Sequence, residues 1–294
     1  MRDDLIAALR RELHEAVSDD PTDLEAFSFN FGGSISSLAR VIVRASAPSK
    51  LARAIRVAAD HHVPITIRGV GEQALSRGGL LLVNECSAPE IKLLSDDLVE
   101  VPTGASWAVV ERQLNAAGRS MPVLTAEPRV TVGGTLAVGG YGEGSVSSGG
   151  HVDLVQRVLL IWPDGSMSWC SSEENAEMFR FSLASLGQLG LLARAVLRTI
   201  PYWRYTRLTF NHHHSLSSLL DSFRWLGDDM EDGPDFFFAQ HRAARFISAY
   251  GVRAITTQPR LVRHPSECVP ECHVKRARAR HQLAFAHHRS FART

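Results

Sequence analysis

No apolar run in this 294-residue chain reaches the ~18–20 residues that carry a helix across a bilayer, so no helical membrane span is expected. The first residues, MRDDLIAALRRELHEAVSDD, alternate charge with apolar side chains and lack the apolar core of a signal peptide, which points to the cytoplasm. Cysteine is scarce. Cys86, Cys170, Cys268 and Cys272 are too few and too scattered for a disulfide framework, in keeping with a reducing compartment. Net charge is nearly absent at +1, but it is unevenly spread. From Val252 to Thr294 there are nine Lys/Arg against two Glu, so the body that precedes this stretch is net acidic. Arg276, Arg278 and Arg280 lack interleaved aromatics, so the tail reads as solvated rather than as a nucleic-acid surface. Cys268-x3-Cys272-His273 has no second ligand pair at zinc spacing, and no metal site is expected. His212-His213-His214 reads as a turn before a helix rather than as a ligand cluster.

Glycine is concentrated where other things are missing. Eight of the 22 glycines fall between Gly133 and Gly150, in TVGGTLAVGGYGEGSVSSGG. Side chains are absent where the backbone must be approached closely or φ must be positive. Clustered bare N–H groups also bind anions such as phosphate. Val132, Leu136, Val138 and Val146 punctuate the run and argue against a solvated linker. A second, smaller glycine loop, Arg68-Gly69-Val70-Gly71, follows a strand. It lacks the third glycine of a Rossmann fingerprint, no clear helix follows, and there is no Walker lysine. A nicotinamide βαβ site and a P-loop are thereby disfavoured. What remains is a long ligand with a diphosphate, held by backbone amides from two loops.

Strand and helix patterns alternate along the chain, giving an α/β or α+β class. Asp3 to Val17 has helical apolar spacing at Leu5, Ile6, Leu9, Leu13 and Val17. Strands are expected at Arg40–Arg44, Ile65–Ile67, Leu80–Val83 and Leu98–Val101. A helix capped by Ser49 is expected over Lys50–His61, and another over Trp107–Ala117, ended by Gly118. HVDLVQRVLLIWPDGSMSWC reads as two strands around a turn at Pro163-Asp164-Gly165. A helix near Ala176–Ala184 and a strand over Leu191–Thr199 follow. Pro201 marks a boundary. Beyond it come a strand at Tyr205–Phe210, a helix over Leu216–Leu226 with Leu219, Leu220 and Phe223 inward, and strands at Phe236–Phe238 and Arg245–Tyr250.

Taken together, ITIRGVGEQ, VLTAEPRVTVGGTLAVGGYG, VQRVLLIWPDGSMSWC and SLGQLGLLARAVLRTIP resemble the PCMH-type FAD-binding domain of the vanillyl-alcohol oxidase superfamily. The likeness is greatest to FAD-linked oxidases of the cytokinin dehydrogenase and berberine bridge enzyme kind. It covers about Arg40 to Pro201. It implies an α+β fold in which two small α/β subdomains clasp FAD, followed by part of a substrate domain on an antiparallel sheet. The implied organisation is an N-terminal helical segment over 1–38, the FAD-binding domain over 39–200, the partial substrate domain over 201–258 and a basic tail over 259–294. By position, Arg68, Gly69, Val70, Gly71, Glu72 and Gln73 would lie about the FAD diphosphate. Thr131, Gly133, Gly134, Ala137 and Tyr141 would follow the cofactor toward the flavin. Leu191 or Leu192 would touch it through the backbone, or simply pack in the core.

Three departures from the family pattern matter. Glu72 stands where many members carry the histidine joined to the flavin, and Gln73 stands for the following serine, so FAD is expected to be non-covalent. A carboxylate beside a diphosphate also calls for a cation, which Arg68 or Arg77 would supply. The family's acidic base just before the TVGGT segment falls on Ala126, with Glu127 one residue later, leaving Glu127 as a weak candidate for catalysis. The chain also shows only the opening of a substrate domain. The resemblance implies an FAD-dependent oxidoreductase that takes a hydride from a small organic substrate, with molecular oxygen as an acceptor. Two other readings stay open: a degenerate FAD fold without redox activity, and a flavoenzyme like the UDP-N-acetylenolpyruvylglucosamine reductases.

Overall fold

The computed structural model describes residues 2–30, 32–71, 76, 78–203, 205–228, 236–242, 245–254 and 274–276. The first lobe runs α1 (Arg2–Leu13), β1 (Val17–Ser18), α2 (Pro21–Ala26), β2 (Val41–Ala45), α3 (Pro48–Asp60), β3 (Ile65–Arg68) and β4 (Leu80–Asn84). Its sheet has the order β1-β2-β4-β3, with β4 parallel to β2 and β3 and β1 antiparallel to β2. Strand β4, LLLVN, is buried on both faces, which is why it reads as an unbroken apolar run. Leu80 and Leu82 face α1 and α3, while Leu81 and Val83 face Leu24 and Phe27. Leu5, Leu9 and Leu13 of α1 belong to the same core as β2 and β4, so residues before 39 are packed into this lobe rather than appended to it.

Two expected boundaries move. Helix α1 stops at Leu13, His14 takes φ +51°, and Val17 pairs with Val43 in the sheet instead of extending the helix. A buried β-branched residue is better placed there than on a fraying last turn. Helix α3 starts at Pro48 with Ala47 as its cap, so Ser49 lies inside it. Proline's fixed φ and missing N–H suit the first helical position.

The second lobe runs β5 (Lys92–Leu93), β6 (Leu98–Pro102), α4 (Trp107–Ala116), β7 (Arg119–Ser120), α5 (Val132–Val138), α6 (Ser145–Ser148), β8 (Val155–Ile161), β9 (Met167–Ser171), α7 (Ala176–Ser182), β10 (Leu191–Arg198) and β11 (Ile200–Pro201). Its main sheet is antiparallel, in the order β5-β6-β10-β8-β9, with β8 and β9 joined across the Pro163-Asp164-Gly165 turn. One face holds Val99, Val101, Val158, Leu160 and Leu197 against Trp107, Val110, Val132 and Leu136. From the other face Ile161, Leu191 and Ala193 join the core of the first lobe. Helix α3 contacts β2, β4, β8 and β10, so it lies between the two sheets.

A third sheet, β13-β14-β12-β15, is built from β12 (Tyr205–His213), β13 (Phe236–Arg242), β14 (Arg245–Ala254) and β15 (Val274–Arg276), with α8 (Leu216–Asp228) between β12 and β13. It is antiparallel throughout. Two details differ from the sequence reading. His212 and His213 lie within β12 rather than in a turn, and His213 is buried with its Nδ1 3.3 Å from Ser218 Oγ. On α8, Leu219 points inward but Leu220 is 45% exposed, and Ser222 takes the inner position, its hydroxyl bonded to the Leu219 carbonyl. Three residues from Leu219 is the better match to the helical repeat than one. Cys268, Cys272 and His273 lie outside the described residues. No helix among the described residues is long and apolar enough to cross a membrane.

Candidate functional site

The first glycine loop leaves the sheet from an edge strand, β3. Among the described residues, no acceptor meets the N–H groups of Gly69, Val70 or Gly71. Gly71 has φ +90°, and a Cβ there would lie 2.0 Å from Arg68 Nη2. Arg68 is buried beneath the loop, where it donates to the carbonyls of Phe27 at 2.8 Å and Phe29 at 3.3 Å and stacks over the Phe27 ring. Burial lowers its pKa from the usual arginine value. Its position is that of a prop for the loop, tied to the N-terminal segment, rather than of a cation turned toward a ligand. Glu72, Gln73 and Arg77 lie outside the described residues.

The long glycine run is not a loop throughout. Thr131 caps α5, its hydroxyl accepting from the Gly134 N–H at 3.1 Å. The helix N-terminus is then sealed from within. Val132 N–H donates to Ala105 O at 2.9 Å and Gly133 N–H to Thr103 O at 2.8 Å. Thr103 also accepts at Oγ1 from Asn84 and donates to Leu192 O, tying α5 to β4 and β10. The amides of Gly133 and Gly134 are thus engaged by the protein. What these glycines provide is closeness: a Cβ at Gly133 would lie 3.0 Å from Thr103 Cβ, and one at Gly69 would lie 2.3 Å from Thr131 Oγ1. The unpaired amides come later, at Gly140 and Tyr141, for which no acceptor stands among the described residues.

A third segment closes the site. Ala184 and Leu186, both with positive φ, donate their N–H groups to Leu136 O and Ala137 O, each at 2.9 Å. A Cβ on Gly187 would reach Ile67 at 3.8 Å. The strand that leads into the 69–71 loop, helix α5 and residues 184–187 are therefore linked pairwise, Gly69 to Thr131, Leu136 and Ala137 to Ala184 and Leu186, and Ile67 to Gly187. These segments carry exposed apolar side chains: Val70, Val138, Tyr141 and Leu186 are 52%, 48%, 77% and 67% exposed. Of the apolar residues that punctuate the glycine run, Val138 and Val146 are exposed, whereas Val132 and Leu136 are buried. Leu191 and Leu192 are both buried, one in each main core, so their side chains serve packing. Glu127 is paired with Arg129. Its carboxylate accepts from the Arg129 N–H, Nε and Nη2 at 2.8–2.9 Å.

Four residues that hold the site were not legible as site residues: Asn84, Thr103, Trp107 and His151. Trp107 Nε1 donates to Thr135 Oγ1 at 2.8 Å and its ring packs on His151, with centroids 4.8 Å apart. His151 is fully buried, and both its backbone N–H (2.8 Å) and its Nδ1 (3.2 Å) meet the Gly140 carbonyl. Burial pushes its pKa down, and the carbonyls of Gly140 and Val123 partly oppose that shift. A signal existed only in hindsight: a polar residue set directly behind Gly149-Gly150.

The arrangement fits a long ligand that is anionic in its middle and flat and apolar at an end. Bare amides can meet an anion, glycines admit close approach where a Cβ would collide, and exposed apolar side chains can receive a flat ring. Comparison with known proteins agrees. Residues 39–171 match the family described as FAD binding domain. The chain is 28% identical over 193 residues to cytokinin dehydrogenase 2 of Arabidopsis thaliana, covering 64% of this chain and 38% of that protein. It is 27% identical over 183 residues to an uncharacterized oxidoreductase of the fasciation locus of Rhodococcoides fascians, covering 61% and 42%. It is 33% identical over 130 residues to the delta(24)-sterol reductase of Rattus norvegicus, covering 43% and 24%. The chain spans about two fifths of the length of the first two of these relatives. Over residues 39–171 the chain is thus similar to the FAD binding domain family, and over some three fifths of its length it is similar to these dehydrogenase and oxidoreductase chains.

Proposed function

We propose that the chain is the cofactor-binding part of an FAD-dependent oxidoreductase that acts on a small organic substrate. The observation that carries this reading is that both glycine segments present amides with no acceptor among the described residues, on Gly69, Val70 and Gly71 and on Gly140 and Tyr141, with the exposed side chains of Val70, Val138 and Tyr141 in the same segments. The amides of Gly69, Val70 and Gly71 hold the diphosphate, propped from below by Arg68. Thr131, Gly133 and Gly134 keep the helix close to the cofactor without donating to it, and Ala137, Tyr141 and the Leu186 side chain border the flavin. Leu191 and Leu192 act from behind, through the backbone. Bound FAD would take a hydride from the substrate and pass the electrons to molecular oxygen. Attachment is non-covalent, because Glu72 cannot form a histidyl–flavin bond. The cytoplasm suits the free thiols of Cys86 and Cys170.

The test is an absorbance spectrum of purified protein before and after acid precipitation. Flavin bands that pass wholly into the supernatant support the reading, and a protein that takes up no added FAD sinks it. Glu72→His is expected to tighten FAD binding by removing a carboxylate from beside the diphosphate, as read by titration. A fold that binds FAD without turning over is the second reading, favoured by the capture of Glu127 by Arg129. Peroxide release with any substrate would exclude it.

A further inference from the structure

Gly140 takes a conformation that only glycine adopts easily, with φ +64°, and a Cβ there would lie 2.3 Å from Thr135 Cγ2 and 3.0 Å from His151 Nδ1. Two donors of one residue hold its carbonyl: the backbone N–H and Nδ1 of His151. Because a carbonyl can only accept, Nδ1 carries the hydrogen and the ring is the neutral tautomer with Nε2 bare. That Nε2 is buried and has no hydrogen-bond partner. Trp107 covers the ring, and the Trp107 Nε1 bond to Thr135 fixes the cover in place.

We propose that His151 is the positioning residue for the Gly140–Tyr141 backbone, and that its protonation loosens this backbone and weakens the hold on FAD. The inference rests on the FAD reading above. A proton on Nε2 would put a full charge into a buried slot, where the cost of burial outweighs the support of the Gly140 and Val123 carbonyls. No charged side chain among the described residues compensates. Asp153 is turned to the Gly150 N–H at 2.7 Å, and Glu111 of α4 to Met121 N and Ser120 Oγ. Tyr141 points into solvent, Glu143 pairs through its backbone with Leu124, and Arg198 of β10 meets the Asp153 carbonyl. Helices α5 and α6 carry no ionisable side chain. The cheapest response to a proton is for the ring to leave the slot, and with it goes the clamp on Gly140. A ligand seated on Gly140 and Tyr141 opposes that exit, so FAD and the proton exclude one another.

The sign follows from the direction of the shift. The folded pKa of His151 is depressed below the unfolded value of 6.5. Its neutral form therefore contributes full stability above pH 6.5, loses it as pH falls below that value, and levels off below the folded pKa. FAD affinity is read by fluorescence titration between pH 8 and pH 5.5 for the wild type and for His151→Asn, whose amide can keep the donor to Gly140 but takes no proton. The dissociation constant is expected to rise about tenfold in the wild type, the effect of one unit of separation between free and bound pKa, and to stay flat in the variant. A second variant, His151→Gln, guards against misfolding of the first. A flat wild type, or variants with the wild-type slope, would overturn the inference. If no FAD binds at any pH, the FAD reading fails. Amide exchange of residues 139–141 in the ligand-free wild type then decides the clamp: protection lost at pH 5.5 after correction for intrinsic rates upholds it, and unchanged protection refutes it.

Discussion

Substituting Gly69 by alanine tests whether the first glycine loop and the cap of α5 share one space. The new Cβ would sit 2.3 Å from Thr131 Oγ1, 3.2 Å from its Cγ2 and 3.3 Å from its Cβ. A rotation of Thr131 cannot relieve all three contacts and keep its hydroxyl on the Gly134 N–H. Overpacking costs about 1–3 kcal/mol, and losing the cap about 1 kcal/mol, so Gly69→Ala should destabilise by about 2–3 kcal/mol. Thr131→Ala alone loses the cap and should cost about 1 kcal/mol. In the double variant the collision has gone, and the total should fall back to about 1–1.5 kcal/mol, a coupling of about 1.5–3 kcal/mol in favour of the pair. Urea unfolding of the four proteins of this cycle measures it. Strict additivity would show that the two segments do not touch and would remove the central geometric premise of the site.

Other outcomes are equally specific. Arg68→Met removes charge-assisted bonds to the carbonyls of Phe27 and Phe29 and should cost about 2 kcal/mol, with earlier proteolysis of the N-terminal segment. Val70→Asp leaves stability within about 0.5 kcal/mol because the side chain is exposed. Yet it should weaken FAD binding at least ~10-fold by placing a carboxylate beside the diphosphate; unchanged affinity would move the diphosphate elsewhere. Leu219→Ala should cost about 2–3 kcal/mol, whereas Leu220→Ala should stay within about 0.5 kcal/mol, both read by thermal unfolding. Equal losses at the two positions would reject the observed orientation of α8.

Much of this protein is local. The unbroken LLLV of β4, the helical spacing of α3, the Pro163-Asp164-Gly165 turn between β8 and β9 and the glycine at the end of α4 are each set by a few neighbouring residues. Their positions were readable because burial on both faces, a single apolar stripe, or a required positive φ leaves a mark in the chain itself. The glycine run was legible as a place of close backbone approach for the same reason. Which of its amides are left to bind a ligand was not. Thr103 and Ala105, some thirty residues upstream, take the N–H groups of Gly133 and Val132, and so the open amides fall at Gly140 and Tyr141. Likewise, nothing near Arg68 says that Phe27 and Phe29 will supply its acceptors, and nothing near His151 says that Trp107 will cover it. A hydrogen-bond partner is chosen by whichever group the fold brings within 3 Å, and that choice belongs to contacts between distant segments, not to the propensity of any one of them.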